Sequence, residues 1–401
     1  MHASGLAPGN SGNMRRHSTG GIMSSKWGPA LEARLQNVRD HDTLEVHIFL
    51  AGEPARETFA HVRANAAGML DDAETAPTVE TRDTVIEGIK SRAREAQAGL
   101  LAALRGASGQ AEFIDSHLGG DTTVSAVLPR ADRVIARWIT NSVTARLSPA
   151  LLREVAARDD VIHLELARHA DIEELLDQQR APERWHNTVR IGPAPALPEF
   201  TDDDTPPPPT WGVRQVNAPL LWQQGLRGEG VLVAVIDTGV NYKHPDLASQ
   251  MWNGGAKYPL HGYNFAENND DPMDKKGHGT ACAGIVAGNG ASGNATGVAP
   301  EATIMAIRVG GSEGAFWDGM QFAIDQKVDV ISMSMTWKYP SDPTYPGWRR
   351  MSEAVWAAGI VHANSTGNQG DDLAGFPIPF NVGTPGNCPP PWLSPLQLPA
   401  G

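Results

Sequence analysis

Hydrophobic positions along the 401-residue chain fall into two patterns, separated by a stretch that can support neither. In the first, Leu44–Leu50 (L-E-V-H-I-F-L) alternates apolar and polar side chains, as a strand does. Across residues 83–105, Val85, Ile86, Ile89, Ala93, Ala96, Leu100 and Leu101 recur at helical spacing and form one apolar stripe. A-R-W-I-T-N-S-V-T-A-R-L, S-P-A-L-L-R-E-V-A-A-R and V-I-H-L-E-L then predict strand, helix and strand over 136–166. Ser148 is placed to cap that helix, with Pro149 at its first position. The expectation is a small sheet covered by two helices.

The second pattern begins near residue 211. Apolar runs at 231–236, 303–309, 328–334 and 360–366 read as buried parallel strands. Helical segments near 278–287, 315–326 and 349–358 separate them. Strand and helix in alternation predict an α/β fold with a doubly wound parallel sheet, whose ligands sit at the carboxyl ends of the strands. Between the two patterns runs D-D-D-T-P-P-P-P-T from Asp202, where adjacent like charges and prolines without donors oppose packing. The expected organisation is a disordered stretch at 1–26, an α+β domain at 27–179, a linker at 180–210 and an α/β domain at 211–401.

Composition narrows the partners. A formal charge of −13 opposes a nucleic-acid or anionic-membrane partner, both of which select a basic face. No apolar run is long enough for a transmembrane helix, and none follows Arg15 and Arg16 as a signal sequence requires. No address is legible there. The two cysteines, Cys282 and Cys388, exclude a disulfide-rich scaffold and leave room for one optional bridge.

Two motifs carry candidate chemistry. In V-A-V-I-D-T-G-V, Asp237 stands directly after a strand. There it can orient an imidazole, form half of a paired-aspartate protease site, or simply make a turn. G-H-G-T-A-C-A-G decides among these, because it opens a helix of small residues that can pack close to a sheet and hold His278 at its edge. A capping histidine would not need those glycines and alanines around it.

With H-P-D-L (244–247), G-V-A-P (297–300), D-V-I-S-M-S-M (329–335) and S-T-G-N-Q-G (365–370) in order, the chain resembles the subtilisin-like serine proteases from about 211 to 370. The resemblance implies a protein or peptide substrate and endopeptidase chemistry by an Asp-His-Ser triad. His278 is then the general base, Asp237 its orienting partner and Asn368 an oxyanion donor. Ser334, Met335 and Thr336 fall in the implied substrate-binding strand, although Thr336 and Trp337 stand where the family usually has glycines. No cofactor is required; Asp246 matches a position that supplies a calcium ligand in many members, with loop 289–296 as a source of carbonyl oxygens. Asp270, Asp271 and Asp274 read as a solvated loop. The amino-terminal domain resembles the family's propeptide, which chaperones folding and blocks the cleft with its tail.

The family's serine sits in a later G-T-S box, and none follows Asn368 here. Ser394, in W-L-S-P-L, is flanked by proline and lacks a small-residue helix behind it. The expectation is a partial peptidase domain that is inactive by itself, with a peptide-binding pseudoprotease or one half of a split enzyme as alternatives. A further motif, G-G-S-E-G at 310–314, fits the nucleophile elbow of α/β-hydrolases, with His362 as its later histidine. It leaves Asp237 and His278 unexplained and reads better as a strand-to-helix turn.

Overall fold

The computed structural model describes residues 26–39, 41–66, 79–107, 112–115, 133–170, 175, 207–338, 341–368 and 382–388. Residues 1–25, residues 180–206 of the stretch expected to be a linker, and Ser394 lie outside them. Among the described residues no helix is long and apolar enough to cross a membrane.

The first sheet comprises β1 (Leu44–Leu50), β2 (Glu112–Asp115), β3 (Arg133–Arg137), β4 (Ser142–Leu147) and β5 (Val161–Leu166). They lie in the order β2-β3-β4-β1-β5, with β1 antiparallel to both neighbours. Val46, Ile48 and Leu50 point to one face and bury against α1 (Pro29–Leu35), α3 (Val79–Ala107) and α4 (Pro149–Ala156). The Ser148 side chain accepts from Leu151 N at 3.3 Å, as the sequence led us to expect. Both α1 and α2 (Pro54–Ala66) add to the two helices expected.

In the second sheet, β6 (Leu232–Asp237), β7 (Gly262–Asn264), β8 (Thr303–Arg308), β9 (Val330–Met333) and β10 (Val361–Asn364) are all parallel, in the order β10-β9-β6-β8-β7. The four expected runs are there, and β7 is an additional edge strand. The chain leaves β6 towards β8 on one side and later returns towards β9 on the other. The carboxyl end of β6 is therefore the topological switch point, where such sheets place their ligands. Helix α7 (His278–Ala287) covers one face of β6 and β8, and α8 (Glu313–Asp325) and α9 (Tyr345–Ala357) cover the other. Short helices α5 (Trp211–Gln215) and α6 (Ala218–Trp222) precede the sheet.

Helices α8 and α9 also receive the far face of the first sheet. On the face of β1 opposite Val46 and Ile48, His47 is 2% exposed and Phe49 0%. Both rings pack on Trp317, at centroid distances of 4.8 and 6.2 Å. Arg137 makes a two-pronged contact with Asp318, Nε to Oδ1 at 2.6 Å and Nη2 to Oδ2 at 2.9 Å. Gln321 Oε1 accepts from Trp138 N and Ile139 N at 3.1 and 3.3 Å. Arg350 donates to the carbonyls of Leu50, Gly52, Thr140 and Asn141. Lys90 pairs with Asp325 at 2.9 Å. Apolar contact supplies the bulk of the attraction, while these oriented donors fix the register between the sheets.

Candidate active site

Asp237 ends β6 at the switch point with its side chain wholly buried. Its Oδ1 accepts from Thr238 N and lies 2.7 Å from His278 Nδ1, in the first residue of α7. Glycines make this approach feasible. A Cβ on Gly279 would fall 2.1 Å from Gly239 O and 2.9 Å from Asp237 Cβ. Gly277, just before the helix, has φ 90°, a conformation only glycine adopts without strain.

A second carboxylate holds the helix start, and the sequence reading missed it. Asp274 is no solvated loop residue: Oδ1 accepts from Thr238 Oγ1, Lys276 N and Gly277 N, and Oδ2 from Thr280 N and Thr280 Oγ1. Thr238 Oγ1 in turn accepts from Gly279 N at 2.9 Å. Burial opposes ionisation of Asp274, but the bonds from Thr280, Lys276 and Gly277 outweigh it and hold its pKa below the ordinary value. The D-K-K-G spacing carried a signal, since an aspartate commonly accepts from amides two and three residues on. The threonine partners become visible only in the fold.

His278 is about one-third exposed, so one edge of its ring is available from outside. The hydrogen bond with Asp237 raises its pKa, Cys282 adds to the effect, and burial works against it. A raised folded-state pKa stabilises fully below the ordinary imidazole value of 6.5 and ceases to do so as pH rises through the elevated one. Asp237→Asn should therefore bring the His278 titration midpoint, followed by NMR, back towards 6.5. A midpoint unmoved by the substitution would assign the shift to another cause.

Of the other sequence candidates, Ser334 and Asn368 follow the carboxyl ends of β9 and β10, whereas Asp246 meets the loop after α7. Ser334 follows β9 and is half-buried. Met335 is 0% exposed within the core and Thr336 1%, so neither side chain offers a surface to a substrate. Asn368 follows β10 and is exposed, beyond Gly367 at φ 93°. Asp246 is buried, and its Oδ1 accepts from Ser292 N. One cavity is lined by Asp246, Ser292, Asn294 and Thr296. Those oxygens suit a hard cation, although among the described residues Asp246 is the sole carboxylate in that lining. In the hydrolase-like motif, Ser312 Oγ accepts from Ala315 N and caps α8. His362 is largely enclosed, and burial pushes its pKa down to about 4. Cys282 and Cys388 are both free, so the optional bridge is not formed.

Residues 228–392 match the model of the Subtilase family (Peptidase_S8). The major intracellular serine protease of Bacillus subtilis (strain 168) is 37% identical over 173 residues, 40% of this chain and 50% of that protein. Thermitase of Thermoactinomyces vulgaris is 33% identical over 179 residues, 43% of this chain and 59% of that protein. The crystal structure of fervidolysin from Fervidobacterium pennivorans aligns over 83% of this chain and 41% of that one, at 16% identity and a TM-score of 0.40. The chain spans about half the length of the curated relatives it matches. The stretch that matches the Subtilase family, residues 228–392, contains both Asp237 and His278.

Proposed function

We propose that the chain carries the Asp-His part of a subtilisin-type endopeptidase centre that cleaves protein or peptide substrates. The 2.7 Å contact between His278 Nδ1 and Asp237 Oδ1 at the switch point carries this reading. With Nδ1 committed to Asp237, Nε2 is the nitrogen left to take a proton from a serine hydroxyl and return it to the leaving amine. Asp237 holds the tautomer and stabilises the imidazolium formed on the way. Asn368 is assigned as an oxyanion donor, a contact worth about 2.7–4 kcal/mol in subtilisin itself. Ser334 and the main chain that follows it are assigned to substrate binding. A structural calcium, if bound, would be held by Asp246 and the oxygens of loop 289–296, and would brace that loop.

The first sheet is assigned as a propeptide-like unit. In support, the chain leaving β5 runs beside the start of α8: His169 bridges Ser312, and Ala170 N donates to Gly311 O at 2.7 Å. Arg168 secures that segment through Ser341 O and Asp342. A segment held in this way to the turn after the carboxyl end of β8 is placed as a tail that obstructs a cleft would be.

No Gly-Thr-Ser box follows Asn368 within residues 1–401, and we assign negligible peptidase activity to this polypeptide. Peptide turnover that is lost on His278→Ala would overturn the assignment. The DNA following the Gly401 codon tests the wider reading. An in-frame Gly-Thr-Ser box, and hydrolysis by the extended protein that falls on the order of 10⁶-fold in His278→Ala, is the expected result. A stop codon without such a box, together with saturable peptide binding and no turnover, favours a recognition module. Hydrolysis regained only on mixing with a separate serine-bearing polypeptide identifies half of a split enzyme.

A further inference from the structure

We propose that His47 is an acid-sensitive latch: its neutral imidazole holds the first sheet against α8, and a proton on the ring loosens that hold. His47 stands in the middle of β1, on the face that α8 covers, and is 2% exposed. Its ring packs on Trp317 at a centroid distance of 4.8 Å. Nδ1 lies 2.7 Å from Thr144 Oγ1, a hydroxyl that also accepts from Arg137 Nη1. A guanidinium can only donate, so the hydroxyl's own proton is the one that points to Nδ1. The ring hydrogen is then on Nε2, which is enclosed and has no hydrogen-bond partner. Such an unpaired nitrogen is uncommon in a folded interior.

A further proton has no favourable place. On Nδ1 it would set an imidazolium and a guanidinium donating to one hydroxyl, whose own proton would lose its acceptor. On the first sheet the charged groups around this ring are Glu45 on β1, Arg137 on β3, Glu165 on β5, and Arg168 and His169 on the chain beyond β5. From the other side α8 brings Asp318. The three carboxylates are engaged elsewhere: Asp318 by Arg137 at 2.6 and 2.9 Å, Glu45 by Arg146 at 3.2 Å, and Glu165 by Leu166 N at 3.2 Å. Among the described residues none of them pairs with His47. Burial, and then Arg137, push the His47 pKa down to about 3, with Glu45 acting against them and His169 with them.

A ring in water binds a proton below 6.5, whereas the enclosed ring stays neutral down to about 3. The released state therefore takes up the extra proton. The hold is complete above 6.5 and weakens as pH falls, about tenfold for each unit, until about 3. Carboxylates elsewhere along the contact work in the opposite sense. Burial raises the pKa of Asp325 to about 6, against Lys90, and raises that of Glu353, against Arg56. The share of His47 is thus the difference between the wild-type chain and a variant that cannot titrate there. Residues 168–170 travel with the first sheet, so this ring governs how firmly they stay beside the start of α8 in acid. The latch does not depend on the peptidase reading.

Hydrogen–deuterium exchange of the 401-residue chain at pH 7.0 and 5.0, corrected for the chemical exchange rate and read on peptides from β1 and α8, tests the latch without any need for turnover. Between those two values, protection of both elements should fall roughly 25-fold more in the wild-type chain than in His47→Gln. His47→Phe, which keeps a ring against Trp317 but takes no proton, should match His47→Gln. The wild-type imidazole, followed by NMR, should remain neutral at pH 5.0 while the sheets are in contact. Equal pH dependence in the wild-type chain and both variants overturns the proposal, as does a His47 ring that titrates near 6.5 with β1 still protected. Protection lost from β1 with α8 unchanged also overturns it, because that result denotes unfolding of the first sheet by itself. The NMR titration needs no substitution and decides the question even if neither variant folds.

Discussion

Gly279→Ala should part Asp237 from His278 and destabilise the fold, while Gly284→Ala, five positions along the same helix, should stabilise it. Alanine outranks glycine as a helix former by about 0.8–1 kcal/mol, and both substitutions receive that benefit. What differs is the space. At Gly279 the new methyl would lie 2.1 Å from the Gly239 carbonyl oxygen and 2.9 Å from Asp237 Cβ. Backbone must move to admit it, at a cost of about 1–3 kcal/mol for overpacking. At Gly284 the nearest neighbour is Thr296 Oγ1 at 3.9 Å, an ordinary contact. Denaturant midpoints should therefore move in opposite directions. The His278 titration should drift back towards 6.5 in Gly279→Ala alone. A Gly279→Ala protein that is more stable and keeps the raised titration would show that close packing of helix and strand is not what forms the pair.

Arg137→Ala should loosen the first sheet from α8 and α9 by about 3–5 kcal/mol, the usual result of removing one member of a buried ion pair. Arg137 is 1% exposed and Asp318 17%, and the contact is two-pronged. Loss of the guanidinium takes from the Asp318 carboxylate both of these bonds. Unfolding should then separate into two transitions, the first sheet departing at lower denaturant. Arg137→Met with Asp318→Leu should restore much of the cohesion, because the desolvation cost disappears with both charges. Arg146→Ala, which breaks the more exposed pair with Glu45, should cost under about 1 kcal/mol. Equal losses from the two arginine variants would remove the basis for treating the Arg137 pair as the anchor.

The sequence was most legible where local and global signals coincide. The helix from His278 to Ala287 could be bounded because its glycines and alanines have no role in a loop. The strand leading into Asp237 was equally clear, being apolar throughout and followed by Thr-Gly. β7 escaped notice because its three residues have no strand pattern of their own. It exists because Gly262 lets its backbone lie against Ala306, where a Cβ would come within 1.7 Å of the carbonyl oxygen. Asp274 was misjudged for a related reason. Its charge and loop position look solvated, and the threonines that occupy it converge only through tertiary structure. In the same way, spacing along β1 cannot reveal that α8 covers the face that carries His47 and Phe49. Helix α2 is weakly patterned and was passed over, although Ala55 and Thr58 are buried.

The topology of the two sheets also has a kinetic meaning. In the first, β3 and β4 are joined by the four residues 138–141 and pair antiparallel, so part of that sheet closes a very short loop. The second sheet is parallel throughout, and each adjacent pair must wait for a crossover connection. Contacts of this kind raise the search entropy and slow folding. On the ribosome, every strand of the first sheet has been synthesised before Glu313 is reached. The surface that receives α8 and α9 can thus form ahead of the helices themselves, and each helix that lands on it reduces the number of arrangements left for the parallel strands to search.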